Sequence, residues 1–204
     1  MHIHFIRHGQ TQWNVEGRLQ GVQDIPLSHK GHLQAKQLGD RMRQWPIDVI
    51  ISSPLQRARN TAQMLGDSFV TMHDVREIEL GQWEGLTLKE LFEQNPSLAQ
   101  YSDKDVTNRR APGGESYEDV LKRAKAALET IVATHSEAAH IVVVSHGGFI
   151  KSLITDILNM DLAYRKRLSI GNTSITTIKK HPTHYELVRH NDTAHLENYQ
   201  TGEE

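Results

Sequence analysis

Four short motifs in this chain carry groups able to do chemistry together: Arg7-His8-Gly9, Ser53-Pro54-Leu55-Gln56-Arg57, Val75-Arg76-Glu77 and Ser145-His146-Gly147. Each falls where a strand-like run gives way to a loop or helix. If those strands share a sheet, two histidines, guanidinium groups and a carboxylate meet along its carboxyl edge, where open α/β sheets bind ligands. A histidine flanked by arginines suits a tetrahedral dianion, because guanidinium forms paired, charge-assisted hydrogen bonds to phosphate oxygens. Neutral imidazole is also a competent nucleophile at physiological pH and can accept a phosphoryl group. Helix starts after Ser53 and at Gly147 add backbone donors and positive dipole ends. The chemistry indicated is phosphoryl transfer, driven by positioning and electrostatics.

An alkoxide leaving group must be protonated as it departs, and a carboxylic acid beside a bound dianion can supply that proton. Glu77, Glu79 and Glu84 are the candidates. Residue chemistry alone does not choose among them.

Elements of two periodicities must position these groups. Strands are expected over 1–6, 48–51, 69–72, 141–144, 175–179 and 184–189, the last two joined around Pro182. The run at 141–144 is continuously β-branched, the pattern of a strand buried on both faces. Ser28 predicts the cap of a helix whose stripe is Leu33, Leu38, Met42 and Trp45, ended by Pro46. Ser53 as cap with Pro54 in the first turn predicts a second helix through Ala58, Ala62 and Leu65. Ser116 opens the longest helix, with Val120, Ala124, Ala127, Leu128 and Ile131 on one face. A further helix follows His146-Gly147-Gly148 through Ile150, Leu153, Ile154 and Ile157. This alternation predicts an α/β fold, a three-layer α/β/α sandwich with a mostly parallel central sheet. No repeat or linker interrupts it, so 1–204 is expected to be a single domain. Within it, 95–115 reads as a loop-rich insertion and 197–204 as a frayed tail, with 191–196 folding back locally.

Bulk properties exclude several classes. The 204 residues include no cysteine, which removes thiolate catalysis, disulfides and cysteine-ligated metals. A net charge of -2 does not advertise nucleic acid or an anionic membrane as partner. The longest apolar run, 141–144, is far too short to span a bilayer, and the N-terminus lacks a signal-peptide pattern, so a cytoplasmic location is expected. There is no His-Glu-x-x-His, P-loop or Gly-x-Gly-x-x-Gly motif. His2 and His4 alternate onto one strand face as structural histidines. His181 and His184 flank a proline turn and are not expected to hold a metal. Arg109 and Arg110 either reach an acidic substrate from the insertion or stay solvated. Trp13 and Trp83 sit within site motifs and are candidates to wall the pocket, and Lys179 and Lys180 read as an exposed hairpin edge.

Several motifs together resemble one family. Arg7-His8-Gly9-Gln10-Thr11 with Trp13-Asn14 is similar to the first signature of the histidine phosphatase superfamily, the phosphoglycerate-mutase-like proteins. Gln20-Gly21 through Asp24-Ile25-Pro26-Leu27-Ser28 resembles the stretch that follows it there. Ser52-Ser53-Pro54-Leu55-Gln56-Arg57-Ala58-Arg59-Asn60-Thr61-Ala62 resembles the second signature and Ser145-His146-Gly147-Gly148 the last, while Pro112-Gly113-Gly114-Glu115-Ser116 and Asn172-Thr173-Ser174 also fit. The resemblance runs from about residue 1 to 196 and implies a phosphoglycerate mutase-like fold. It implies His8 as the phosphorylated nucleophile, Arg7, Arg57 and His146 as the phosphate pocket, and Glu77 as general acid and base. Asn14, Gln20, Gly21 and Gly147 would contact substrate. No cofactor and no metal are implied, and the partners would be small phosphorylated metabolites, with a monomer or small homo-oligomer.

Within the family the chain most resembles the small broad-specificity and alpha-ribazole phosphatase-like members. The function implied is a metal-independent phosphomonoesterase of histidine acid type. The alternatives are a phosphoglycerate mutase-type phosphotransferase and a non-catalytic phosphate-ligand or partner-binding protein. The latter is disfavoured because His8, Arg7, Arg57, Glu77 and His146 are all intact. The former is disfavoured because fewer than thirty residues separate Glu84 from Pro112, without the long basic, proline-rich insertion associated with the mutases.

Overall fold

The β-branched run 141–144 sits at the centre of the molecule. In the computed structural model, which describes residues 1–100 and 109–199, it forms most of strand β4 (His140–Ser145). Its side chains alternate between two cores, Ile141 and Val143 on one face, Val142 and Val144 on the other. A strand apolar on both faces requires cover on both. Strand β1 (His2–Arg7) pairs with β4 in parallel and with β5 (Ile175–Lys180) antiparallel. β2 (Val49–Ser52) flanks β4 in parallel and pairs with the two-residue β3 (Val70–Thr71), while β6 (Tyr185–Asp192) closes the other side. The order is β3-β2-β4-β1-β5-β6, and only β5 runs against the rest.

Helices cover both faces. α1 (Gln12–Val15) is a single turn beside the site. α2 (His29–Met42) and α3 (Gln56–Ala62) pack Leu38, Met42, Ala58 and Ala62 on Val142 and Val144. α4 (Leu88–Gln94) is short and peripheral. α5 (Tyr117–Thr134) and α6 (Gly147–Ile157) pack Ala124, Leu128, Ile131, Phe149 and Leu153 on the opposite face. The three-layer α/β/α sandwich follows from these two cores. Ser28 and Ser116 cap α2 and α5 as expected, Ser116 through a capping box with Asp119.

Some elements differ from expectation. α2 buries Gln34, whose Oε1 accepts from Gln10 N at 2.9 Å, while Leu33 is only partly covered. Trp45 lies beyond the end of α2 and packs edge-on against His4, with ring centroids 5.1 Å apart. Lys179 and Lys180 end an interior strand, because β6 rather than β5 is the sheet edge. α4 was not expected, although Thr87 and Glu90 form a capping box at its start. Of the loop-rich segment 95–115, Pro96–Gln100 is a 3-10 turn and 101–108 lie outside the described residues. Residues 191–196 do fold back, with Asp192 gripping Arg41 of α2 at 2.6 and 2.8 Å. A 3-10 turn, Ala194–Tyr199, then takes in the first residues of the expected frayed tail; 200–204 lie outside the described residues. Among the described residues no helix is long and apolar enough to cross a membrane.

Candidate active site

Strand register brings the two histidines together. Arg7 of β1 pairs with Ser145 of β4, so His8 and His146 leave adjacent strands at one level. His8 N donates to Ser145 O at 3.0 Å, and the two imidazole centroids are 5.1 Å apart. Ser52 pairs with Val144 on the other side of β4, and Ser53 N donates to Val144 O. That leaves Ser53 Oγ 2.7 Å from His146 Nε2. Ser53 is therefore not the cap of α3; Leu55 is, with no side-chain cap bond. The hydroxyl lies against a buried imidazole instead, and its own link toward the helix is one longer contact from Leu55 N at 3.3 Å.

His8 is almost fully buried, and its Nδ1 lies 2.7 Å from Gly9 O. A carbonyl only accepts, so Nδ1 carries the proton and Nε2 keeps its lone pair. Burial, then Arg57 and Arg7, hold its pKa well below 6.5. His146 is fully buried and is held well below 6.5 by the same causes, burial first and Arg57 next. Neutral His146 with Ser53 donating to Nε2 carries its proton on Nδ1.

Arg57 is fully buried and donates to Gln23 O at 2.6 Å and Gly21 O at 2.8 Å. Burial pushes it down to about 10, opposed by Glu77. Arg7 donates to Ile170 O at 2.7 Å and is also lowered by burial. Arg7 Nε, Arg57 Nε and His146 Nδ1 are buried without a partner. Each such atom costs on the order of 1–3 kcal/mol when nothing accepts from it. An anion with acceptor oxygens is the kind of partner such donors lack.

The carboxylates divide by what holds them. Glu77 Oε1 accepts from Ile78 N at 3.0 Å and Oε2 from Gly148 N at 3.1 Å, which pins it at the start of α6. A Cβ at Gly148 would press on Glu77 Oε1, so a side chain there would displace the carboxylate from this seat. Glu84 Oε1 accepts from Val22 N and Leu80 N, and Oε2 from Gln23 Nε2 at 2.7 Å. Gly21, at φ +53°, lies directly under that carboxylate. Glu84 thus ties down the loop whose carbonyls hold Arg57. Glu79 meets Glu115 through its backbone.

Asn14 and Gln20 converge on Thr11: Thr11 N donates to Asn14 Oδ1 at 3.1 Å and Thr11 Oγ1 to Gln20 Oε1 at 2.9 Å. Gly21 acts through its carbonyl on Arg57. Gly147 starts α6 beside Arg7, whose Nε would lie 3.7 Å from a Cβ added there. Arg110 pairs with Asp119 at 2.6 Å. Trp13 packs beneath Gly85, and His181 stacks on His184 while bonding Glu186. Among the described residues no group of three His, Asp or Glu is placed to hold a metal. Sequence reasoning missed Thr61, which accepts from Gly9 N and donates to Arg57 O, joining the loop after β1 to α3. It also missed Asn172 as the donor to His8 O.

Residues 3–193 match the model of the histidine phosphatase superfamily (branch 1). A curated relative from Salmonella choleraesuis, named "Probable phosphoglycerate mutase GpmB", is 34% identical over 182 residues, 87% of this chain and 84% of its own. Among solved structures, Bacillus stearothermophilus YhfR superposes with a TM-score of 0.86 at 31% identity, covering 96% of this chain and 99% of its own. Phosphoserine phosphatase from Entamoeba histolytica, in complex with 3-phosphoglyceric acid, gives 0.84 at 35% identity, covering 96% and 98%. An α/β sandwich with two buried, neutral histidines and two buried arginines at one sheet edge thus has the family's sequence and the family's fold. The chain belongs to the histidine phosphatase superfamily (branch 1).

Proposed function

We propose that this protein is a metal-independent phosphomonoesterase that hydrolyses small phosphate esters through a phosphohistidine on His8. The observation that carries this is the set of three partnerless buried atoms, Arg7 Nε, Arg57 Nε and His146 Nδ1, around a neutral His8. They donate to the phosphoryl oxygens. His8 Nε2 attacks phosphorus as the ester P–O bond breaks, and Glu77 as the acid protonates the departing alkoxide. Water then attacks phosphorus, giving up a proton to Glu77 as the new P–O bond forms and the P–Nε2 bond breaks, and phosphate leaves with His8 restored. The arginines supply positive charge that a divalent ion supplies in other phosphatases, so activity should survive EDTA.

Rapid quenching with a ³²P-labelled monoester tests the mechanism. Label should appear on an imidazole, stable to alkali and lost in acid, and His8→Ala should lose both label and turnover. Substantial turnover in His8→Ala would exclude this mechanism, and an enzyme restored only by a divalent ion would exclude the assignment of charge.

A further inference from the structure

A cavity of about 280 Å³ is lined in part by Arg7, Glu77 and Gly147, residues of the candidate active site. Its other walls carry Lys151, Arg165 and Tyr117. Four cations, counting Lys166, face one carboxylate there. None of these extra groups takes part in the chemistry above.

We infer that this cavity is a subsite for a second anionic group of the substrate, a carboxylate or a phosphate, and that Lys151 is the residue that selects it. The inference rests on the proposed phosphoryl pocket and specifies what lies at the other end of the ester.

Lys151 follows Gly147 by one helical turn, so both lie on the same face of α6, toward the cavity. It is partly buried, and among the described residues its ammonium has no ion pair or hydrogen bond. By contrast Lys125, on α5, is paired with Asp156 at 3.1 Å. The carboxylate that shares the cavity, Glu77, already receives Ile78 N and Gly148 N. An ammonium withdrawn from water without a partner is unfavourable, and burial and Arg7 lower its pKa accordingly. Arg165 and Tyr117, which also line the cavity, pack on each other, the buried Arg165 guanidinium lying 3.5 Å over the Tyr117 ring. A lysine on a solvated helix face would be extended into water, not lining a cavity beside a second buried cation. The volume is at the small end for ligand sites, suited to a compact anionic group a few bonds from the phosphoryl centre.

Three esters on one three-carbon chain test this: propyl phosphate, 3-phosphooxypropanoate and propane-1,3-diol bisphosphate. The readout is the kcat/KM of each anionic ester relative to propyl phosphate. The full-length protein should prefer at least one anionic ester. Lys151→Met should reduce that preference about tenfold or more, as for a lost charge-assisted hydrogen bond, and Lys151→Arg should retain it. A response to 3-phosphooxypropanoate identifies a carboxylate, and one to the bisphosphate a phosphate. A Lys151→Met protein with both ratios unchanged, or a wild type with no preference, would overturn the subsite. If the wild type turns over none of the three, hydrolysis as proposed fails. The subsite is then decided by the same ratios in Kd, measured calorimetrically on the wild-type and Lys151→Met proteins.

Discussion

Glu84 commits both carboxylate oxygens to the 20–23 loop and Leu80 N, whereas Glu77 takes one backbone hydrogen bond on each oxygen at the start of α6. The difference predicts distinct kinetic signatures. If Glu77 protonates the leaving group, Glu77→Gln should lower turnover of alkyl phosphates by about 10²-fold or more while sparing p-nitrophenyl phosphate, whose leaving group needs little proton assistance. Glu84→Gln should loosen the Gly21 and Gln23 carbonyls that hold Arg57, and so raise KM for alkyl and aryl esters alike. Rates of the two variants on matched alkyl and aryl esters check this. An alkyl-selective loss in Glu84→Gln but not in Glu77→Gln would reverse the assignment. The types and order of His8, Arg57 and His146 could be read from sequence. Residue chemistry leaves the choice between these glutamates open and only the family resemblance points to Glu77, because what distinguishes them is the amides of Val22, Leu80 and Gly148 brought in by folding.

At the scale of elements, the sequence is most legible where one local pattern has one use. The β-branched run of β4 and the Ser116 cap of α5 are such cases. The turn between β2 and α3 is not. Ser-Pro there has the form of a helix start, yet the parallel pairing of β2 with β4 delivers Ser53 to His146. Competition from a residue 93 positions away cannot be seen in a local window. Ser53 then acts as a positioning residue that fixes which nitrogen of His146 carries the proton. Ser53→Ala should lower kcat/KM by about 10-fold or more, the scale at which outer-shell hydrogen bonds support a site, and Ser53→Thr should recover most of it. In a His146→Ala background the same change should have little further effect, since coupled residues are not additive. Full additivity of the two substitutions would show that Ser53 acts elsewhere.

The whole molecule keeps neutral histidines inside at both ends of the sheet, and this sets its response to acid. His4, near the start of β1, is held down to about 4 by burial and by His140. It lies within bonding distance of Thr177 and stacks with His140, away from His8. His195 is held to about 4 by burial and Arg41; its Nδ1 accepts from Arg41 and its Nε2 donates to Thr173. Thr173 has φ +56° and donates to Arg7 O, so the C-terminal turn supports a strained residue at the edge of the site. For each histidine the folded pKa lies below the unfolded 6.5, so the unfolded chain binds more protons between about 4 and 6.5. Their contribution to stability is complete above 6.5 and is lost as pH falls toward 4. Asp192 is lowered from 3.8 to about 2, chiefly by its hydrogen bond from Arg41, so its contribution persists above 3.8 and is lost only toward 2. Stability should therefore be flat above pH 6.5, decline from there to about 4, and drop again below 3.8 as the Arg41–Asp192 clasp opens. His8, held well below 6.5 by burial and then by Arg57 and Arg7, is neutral where that decline begins, so activity per folded molecule should persist as stability starts to fall. Urea unfolding at a series of pH values checks the order. In His4→Asn, proton uptake on unfolding at pH 5 should fall by about one; an unchanged uptake would mean that His4 is already protonated in the folded protein.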